Sequence, residues 1–128
     1  MEPIYSRGGC PGQLTRRAQG KQMEKLACDY LCQAGLVWVA SNVLYRQGEL
    51  DLIMLEGSTY VFVEVRYRKS DAYGGAAATI TWRKQQKVKW AAIYWLASQD
   101  QCLATAECRF DVVAITGLRI EWIKNAFY

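Results

Sequence analysis

The spacing of apolar positions changes several times along the chain, and each change marks a predicted element. From Gly20 to Ala34 the residues Met23, Leu26, Ala27, Tyr30, Leu31 and Ala34 recur at i, i+3, i+4, i+7 intervals, which predicts a helix stopped by Gly35. Leu36 to Arg46 is rich in β-branched and aromatic residues, with an interruption at Ser41-Asn42, and predicts a strand. Gln47-Gly48 then predicts a bend or bulge that re-aims the residues after it.

Strict alternation follows. Asp51, Ile53 and Leu55 fall on one face of a strand, and Tyr60, Phe62, Glu64 and Arg66 on one face of the next. A two-residue turn at Gly57-Ser58, with Gly where φ is positive, fixes a hairpin register that sets Asp51 opposite Glu64 and Glu49 opposite Arg66. Two carboxylates directly opposed repel each other, and a divalent cation is one group that compensates them.

Beyond the hairpin, the run of residues 68–80 is a loop centred on Gly74-Gly75. Thr81 caps a second helix that reaches Ser98 and buries Val88, Ala91, Ala92, Trp95 and Leu96. Arg83, Lys84 and Lys87 sit in its first turns, where cations oppose the helix dipole unless they join the helix N-terminus in binding an anion. Ala106 to Ile115 and Arg119 to Ile123 read as two more strands joined by a turn at Thr116-Gly117-Leu118. Asp111 reads equally as a support for the carboxylate site or as part of a local network. The expected order is α-β-β-β-α-β-β, an α/β protein with a mixed central sheet and flanking helices. Residues 1–19, rich in Gly, Pro and Arg, read as a flexible basic arm ahead of a single domain over 20–128.

Composition narrows the chemistry. At 128 residues the chain is long enough for one ordinary core, and the absence of histidine excludes every Ser-His or Cys-His triad. Cys10, Cys28, Cys32, Cys102 and Cys108 contain no CxxC pair and read as free thiols in a reducing cytosol. No export signal or membrane span is visible, so a cytoplasmic location is expected. The net charge of +4 conceals a segment, residues 66–89, that carries +6. Its Arg68, Lys69, Arg83, Lys84 and Lys87 are candidate nucleic-acid contacts beside the acids. Trp82, Trp90 and Tyr94 are expected in the core; an exposed cluster of them would favour an interaction surface.

The stretches GELDLIM (Gly48 to Met54), VFVEVRYR (Val61 to Arg68), YGGAAA (Tyr73 to Ala78) and RFDVVAITG (Arg109 to Gly117) carry a further reading. From Leu14 to Phe127 the chain resembles the uncharacterised YraN family, and through it the PD-(D/E)xK nucleases of restriction-endonuclease-like fold, Holliday-junction resolvases among them. The resemblance implies a nuclease-like core and a Mg²⁺- or Mn²⁺-dependent endonuclease acting on DNA, branched or single-stranded forms included, with a homodimer as the expected assembly for junction cleavage. Asp51 and Glu64 match the metal-binding acids, Glu24 matches a helix-one glutamate of resolvase-like members, and Glu49 and Arg66 complete the candidate catalytic set. Arg66 stands where the superfamily has lysine, and arginine stays protonated. A non-catalytic nucleic-acid-binding protein that keeps the fold is the alternative reading.

Overall fold

The computed structural model describes residues 16–69 and 80–127. Among these described residues two helices and five strands follow in the expected order: α1 (Arg16–Gln33), β1 (Val37–Tyr45), β2 (Gly48–Glu56), β3 (Thr59–Arg68), α2 (Trp82–Ser98), β4 (Cys108–Thr116) and β5 (Arg119–Phe127). The strands form one mixed sheet in the order β1-β2-β3-β4-β5. Every neighbouring pair is antiparallel except β3 and β4, which are parallel. A parallel pair requires a crossover, and α2 lies in it.

The β2–β3 hairpin has the register expected from its turn. Leu52 faces Val63, Ile53 faces Phe62 and Glu56 faces Thr59, with Gly57 at φ +62° in the turn. Arg46-Gln47 forms a two-residue turn that closes a β1–β2 hairpin, with Tyr45 opposite Gly48, so the bend expected at Gln47-Gly48 falls one residue earlier and Gly48 already belongs to β2. Strand β1 runs unbroken through Ser41-Asn42, where Asn42 takes a positive φ of 54°, and its register shift lies earlier, between Trp38 and Ala40.

The two faces of the sheet bury different helices. Leu50, Ile53, Phe62, Phe110, Val112 and Ala114 pack against Val88, Ala91, Ala92, Trp95 and Leu96, the stripe expected for α2. Thr81 caps that helix by accepting from the Lys84 N–H. On the opposite face Leu52, Met54, Val61, Val63, Val113 and Ile115 pack against Ala27 and Leu31 of α1. Here the stripe is rotated from the expectation. Leu26, Tyr30 and Ala34 are exposed, and the face turned inward runs through Met23, Glu24, Ala27, Cys28 and Leu31. The helix also begins at Arg16, because Arg16, Ala18 and Gln19 are good helix formers and carry it back through Gly20. The boundary of the proposed basic arm therefore moves; residues 1–15, and Gly74-Gly75 with most of the 68–80 loop, lie outside the described residues.

Strand β5 continues to Phe127, past the expected end at Ile123. A register shift between Phe110 and Val112 and a positive φ at Asn125 let the two strands stay together. Asp111, fully buried, accepts hydrogen bonds from Asn125 N–H, Trp122 Nε1–H (both 2.9 Å) and Arg109 Nε–H (3.0 Å), and Arg109 in turn reaches Glu56 at 2.7 Å. Asp111 shares its sheet face with Val113, the face covered by α1, and serves this local network. The four described cysteines are free thiols, and burial raises Cys28 to about 11, which keeps it protonated at neutral pH. Among the described residues no helix is long and apolar enough to cross a membrane.

Candidate active site

Strands β2 and β3 stop pairing at Leu52 and Val63, one position short of the acids. Leu50 and Ile53 both pack toward α2, whereas an uninterrupted pleat would place them on opposite faces, so β2 twists at Asp51-Leu52. Asn42, the β1 residue at that level, takes its positive φ there. The Val65 N–H freed by the parting of the strands donates to Asp51 Oδ2 at 2.9 Å. A side-chain carboxylate thus replaces a rung of the ladder, and the fork opens a cleft.

That cleft has a volume of about 610 Å³ and is lined by Arg16, Gln19, Gly20, Met23 and Glu24 of α1, Glu49 and Asp51 of β2, Glu64 to Arg68 of β3, and Lys84 of α2. Gly48 sets its depth. A Cβ there would run into the Lys87 backbone carbonyl, so only glycine lets the start of β2 lie directly on the first turns of α2 and bring Glu49 and Asp51 beside Lys84.

Asp51 and Glu64 meet as the register implies and share a side-chain hydrogen bond. Glu64 is 1% exposed. Burial first, then the adjacent Asp51 charge, pushes its carboxyl up to about 8, against the pull of Lys84 and Arg66. Burial also raises Asp51, opposed by the Val65 N–H, Lys84, the bond to Glu64 and Arg66. If both carboxyls were ionised, Glu64 Oε2 would be buried without a donor. A proton on Glu64, donated to Asp51, removes the like-charge contact.

Two cations close on the other Glu64 oxygen: Arg66 Nη2 at 3.4 Å and Lys84 Nζ at 3.5 Å from Oε1. The expected Glu49–Arg66 pairing is not formed. Once β2 leaves the ladder, Arg66 pairs along β4 with Ala114 and turns its guanidinium to Glu64. Glu49 is raised by burial and by Asp51, and is drawn back by Lys84 and Arg17. Glu24 comes in from α1. It hydrogen-bonds the Asn42 side chain, and burial followed by the Asp51 charge raises it to about 7. Its Oε2 is buried without a partner.

All five candidate catalytic residues, Glu24, Glu49, Asp51, Glu64 and Arg66, therefore line one cleft. The basic candidates divide: Arg68 and Lys84 line it, Arg83 and Lys87 lie on the exposed side of α2, and Lys69 is exposed just beyond β3. Sequence reasoning placed Lys84 among general phosphate contacts and missed its reach to Glu64. The only signal for it was its location in the first turn of a capped helix following β3. Trp82, Trp90 and Tyr94 are not core; they are 73%, 51% and 39% exposed, because the buried stripe of α2 faces the sheet roughly opposite to them.

Among the described residues no three His, Cys, Asp or Glu side chains converge tightly enough to hold an ion by themselves. The donor set still suits a small hard cation, since Mg²⁺ and Mn²⁺ take one or two carboxylates and complete their shells with water. Glu24 Oε2, buried without a hydrogen-bond partner, is an acceptor that a cation would satisfy, and a cation between Asp51 and Glu64 would take the place of the proton they share.

Fold and site together define a mixed α/β protein with an acidic cleft, closed by a lysine and an arginine, at the fork of its sheet. The model of the uncharacterised protein family UPF0102 matches residues 23–115. The UPF0102 protein of Serratia proteamaculans (strain 568) is 57% identical over 114 residues, which covers 89% of this chain and 97% of that protein. Relatives in Yersinia enterocolitica and Yersinia pseudotuberculosis are 53% and 54% identical over the same shares. The chain belongs to the UPF0102 family, in agreement with the YraN resemblance.

Proposed function

We propose that this protein is a metal-dependent nuclease with a restriction-endonuclease-like core, acting on DNA. The observation that carries the reading is the buried, mutually hydrogen-bonded Asp51–Glu64 pair with Lys84 Nζ and Arg66 Nη2 both on Glu64 Oε1. Asp51 and Glu64 would hold Mg²⁺ or Mn²⁺, with Glu24 alongside. When bound, such an ion supplies Lewis acidity toward a phosphate oxygen and a lowered pKa for water.

The chain's own residues do the rest. Arg66 presents a fixed, always charged fork for a phosphate oxygen, which positions the diester and stabilises its added charge but does not take a proton. Lys84 supplies from α2 the ammonium that position 66 lacks, with its Nζ 3.5 Å from Glu64 Oε1. Arg68 and the N-terminus of α2 extend the positive rim along which a polyanion approaches. Burial of the acids concentrates these interactions by excluding bulk water.

Purified protein incubated with Mn²⁺ and a panel of duplex, single-stranded and four-way-junction DNAs is expected to cleave at least one substrate. Asp51→Ala, Glu64→Ala and Lys84→Met should each abolish cleavage. No cleavage across the panel, or cleavage indifferent to all three substitutions, refutes the assignment. A second reading, a nucleic-acid-binding protein without catalysis, draws on one specific observation: Arg66 and Lys84 already sit on Glu64 Oε1, so the pair of acids has cationic neighbours without any metal. It predicts DNA binding that is unchanged by Mn²⁺.

A further inference from the structure

On the exposed side of α2, Arg83, Lys87, Trp90 and Tyr94 follow at i, i+4, i+7 and i+11 and therefore form one stripe. It starts beside the cleft, since Arg83 precedes the Lys84 that reaches Glu64, and it runs away from the site for about 16 Å at helical rise. Its near half is basic and its far half aromatic. Trp90 and Tyr94 are 51% and 39% exposed, their rings are 6.4 Å apart at 31°, and the Tyr45 ring extends the row at 5.8 Å from Tyr94. The turn holding exposed Arg46 lies against the same helix, because Gly48 rests on the Lys87 backbone. Helix α2 has four basic residues and no acidic one.

We infer that this stripe is a track for an unpaired nucleic-acid strand leading out of the cleft. Arg83, Lys87 and Arg46 meet its phosphates, and Trp90 and Tyr94, with Tyr45 behind them, stack on its bases. Stacking needs aromatic faces open to solvent and is tolerant of sequence; phosphate contacts need unopposed cations; the stripe provides both in the order that a strand leaving the acids would meet them. A second copy of the chain docking here would bring together two helices that each carry four basic residues and no acidic one, which charge disfavours. The inference rests on the proposed polynucleotide substrate and sharpens it: the preferred substrate carries a single-stranded segment next to the bond at Asp51 and Glu64. Deoxyribose and ribose strands share this chemistry.

The test uses the full chain, EDTA to prevent cleavage, and fluorescein-labelled oligo(dT), oligo(rU) and a duplex of the same length, read by anisotropy. Binding of either single strand more tightly than the duplex, with quenching of tryptophan fluorescence, is expected. Trp90→Ala and Tyr94→Ala should each weaken single-strand binding by about 5- to 150-fold, while Trp90→Phe restores most of it. Lys87→Gln should flatten the salt dependence. The inference is overturned if the Trp90→Ala/Tyr94→Ala double variant, shown by circular dichroism to be folded, binds single strands as the wild type does. It is equally overturned if neither strand binds, if the duplex is preferred, or if the double variant instead loses a concentration-dependent self-association. Failure of the nuclease reading is separable: loss of Mn²⁺ binding and cleavage would be absent in Asp51→Asn, while the track's effect on oligo(dT) persisted.

Discussion

Replacing Glu64 by glutamine tests the electrostatics of the cleft without changing its shape. The folded-state pKa of Glu64, about 8, lies above its ordinary value of 4.5, so the folded chain keeps a proton that the unfolded chain releases. The stability associated with that proton is fully present below about pH 4.5 and is lost progressively as pH rises to about 8. At about 1.4 kcal/mol per pH unit, the whole window corresponds to an upper bound of about 5 kcal/mol, most of it falling between pH 5 and pH 8. Glutamine carries no such charge. Urea unfolding followed by circular dichroism at pH 5, 6, 7 and 8 should show the variant gaining on the wild type by about 3 kcal/mol across the range. The two proteins should be closest at pH 5. Stability curves that run parallel, or that diverge in the wild type's favour as pH rises, would refute the buried shared proton. A companion measurement follows from the same proton: calorimetric titration of Mn²⁺ at pH 7 in buffers of different ionisation enthalpy should show proton release in the wild type and little in Glu64→Gln.

Two further substitutions probe the frame that holds the cleft. Asp111→Ala leaves the Trp122 and Asn125 N–H groups and the Arg109 guanidinium without their buried acceptor, and should cost about 3–5 kcal/mol in urea unfolding. Because Asp111 is not in the cleft, Mn²⁺ affinity measured in the folded fraction should be unchanged. Gly48→Ala forces β2 away from the Lys87 carbonyl, with an overpacking cost of about 1–3 kcal/mol. Unlike Asp111→Ala, it should also weaken Mn²⁺ binding, since it displaces Glu49 and Asp51; thermal unfolding with and without Mn²⁺ separates the two effects.

Features governed by local chemistry were legible in the residues. Gly57-Ser58 fixed the hairpin register, and Thr81 with the 3.6-residue spacing after it fixed the start and the buried stripe of α2. The turn at Arg46-Gln47 is not legible because neither residue is a characteristic turn former and neither takes a positive φ. Features set by how elements lie on one another were not legible. In α1 two apolar stripes compete, and the one containing Leu26 and Tyr30 looks better by hydrophobicity, yet the face packed on the sheet is the one through Met23, Ala27, Cys28 and Leu31, which also brings Glu24 to the cleft. Trp82, Trp90 and Tyr94 were assigned to the interior on size and apolarity alone, although their helical positions are displaced from Val88, Ala92 and Trp95. The acids were found from alternation along single strands, but the parting of β2 from β3 depends on Asn42, Asp51 and the Val65 N–H together, and no single-strand pattern contains it.

The irregularity of β1 has a consequence for solubility. This strand lies at the free edge of the sheet, carries no charged residue, and exposes Val37, Trp38 and Leu44 at 60%, 53% and 61%. A straight strand of that composition is a template for pairing with other chains. The register shift between Trp38 and Ala40 and the left-handed backbone at Asn42 interrupt the row of open hydrogen-bonding groups. The kink at the level of Asp51 thereby also guards the sheet edge against aggregation.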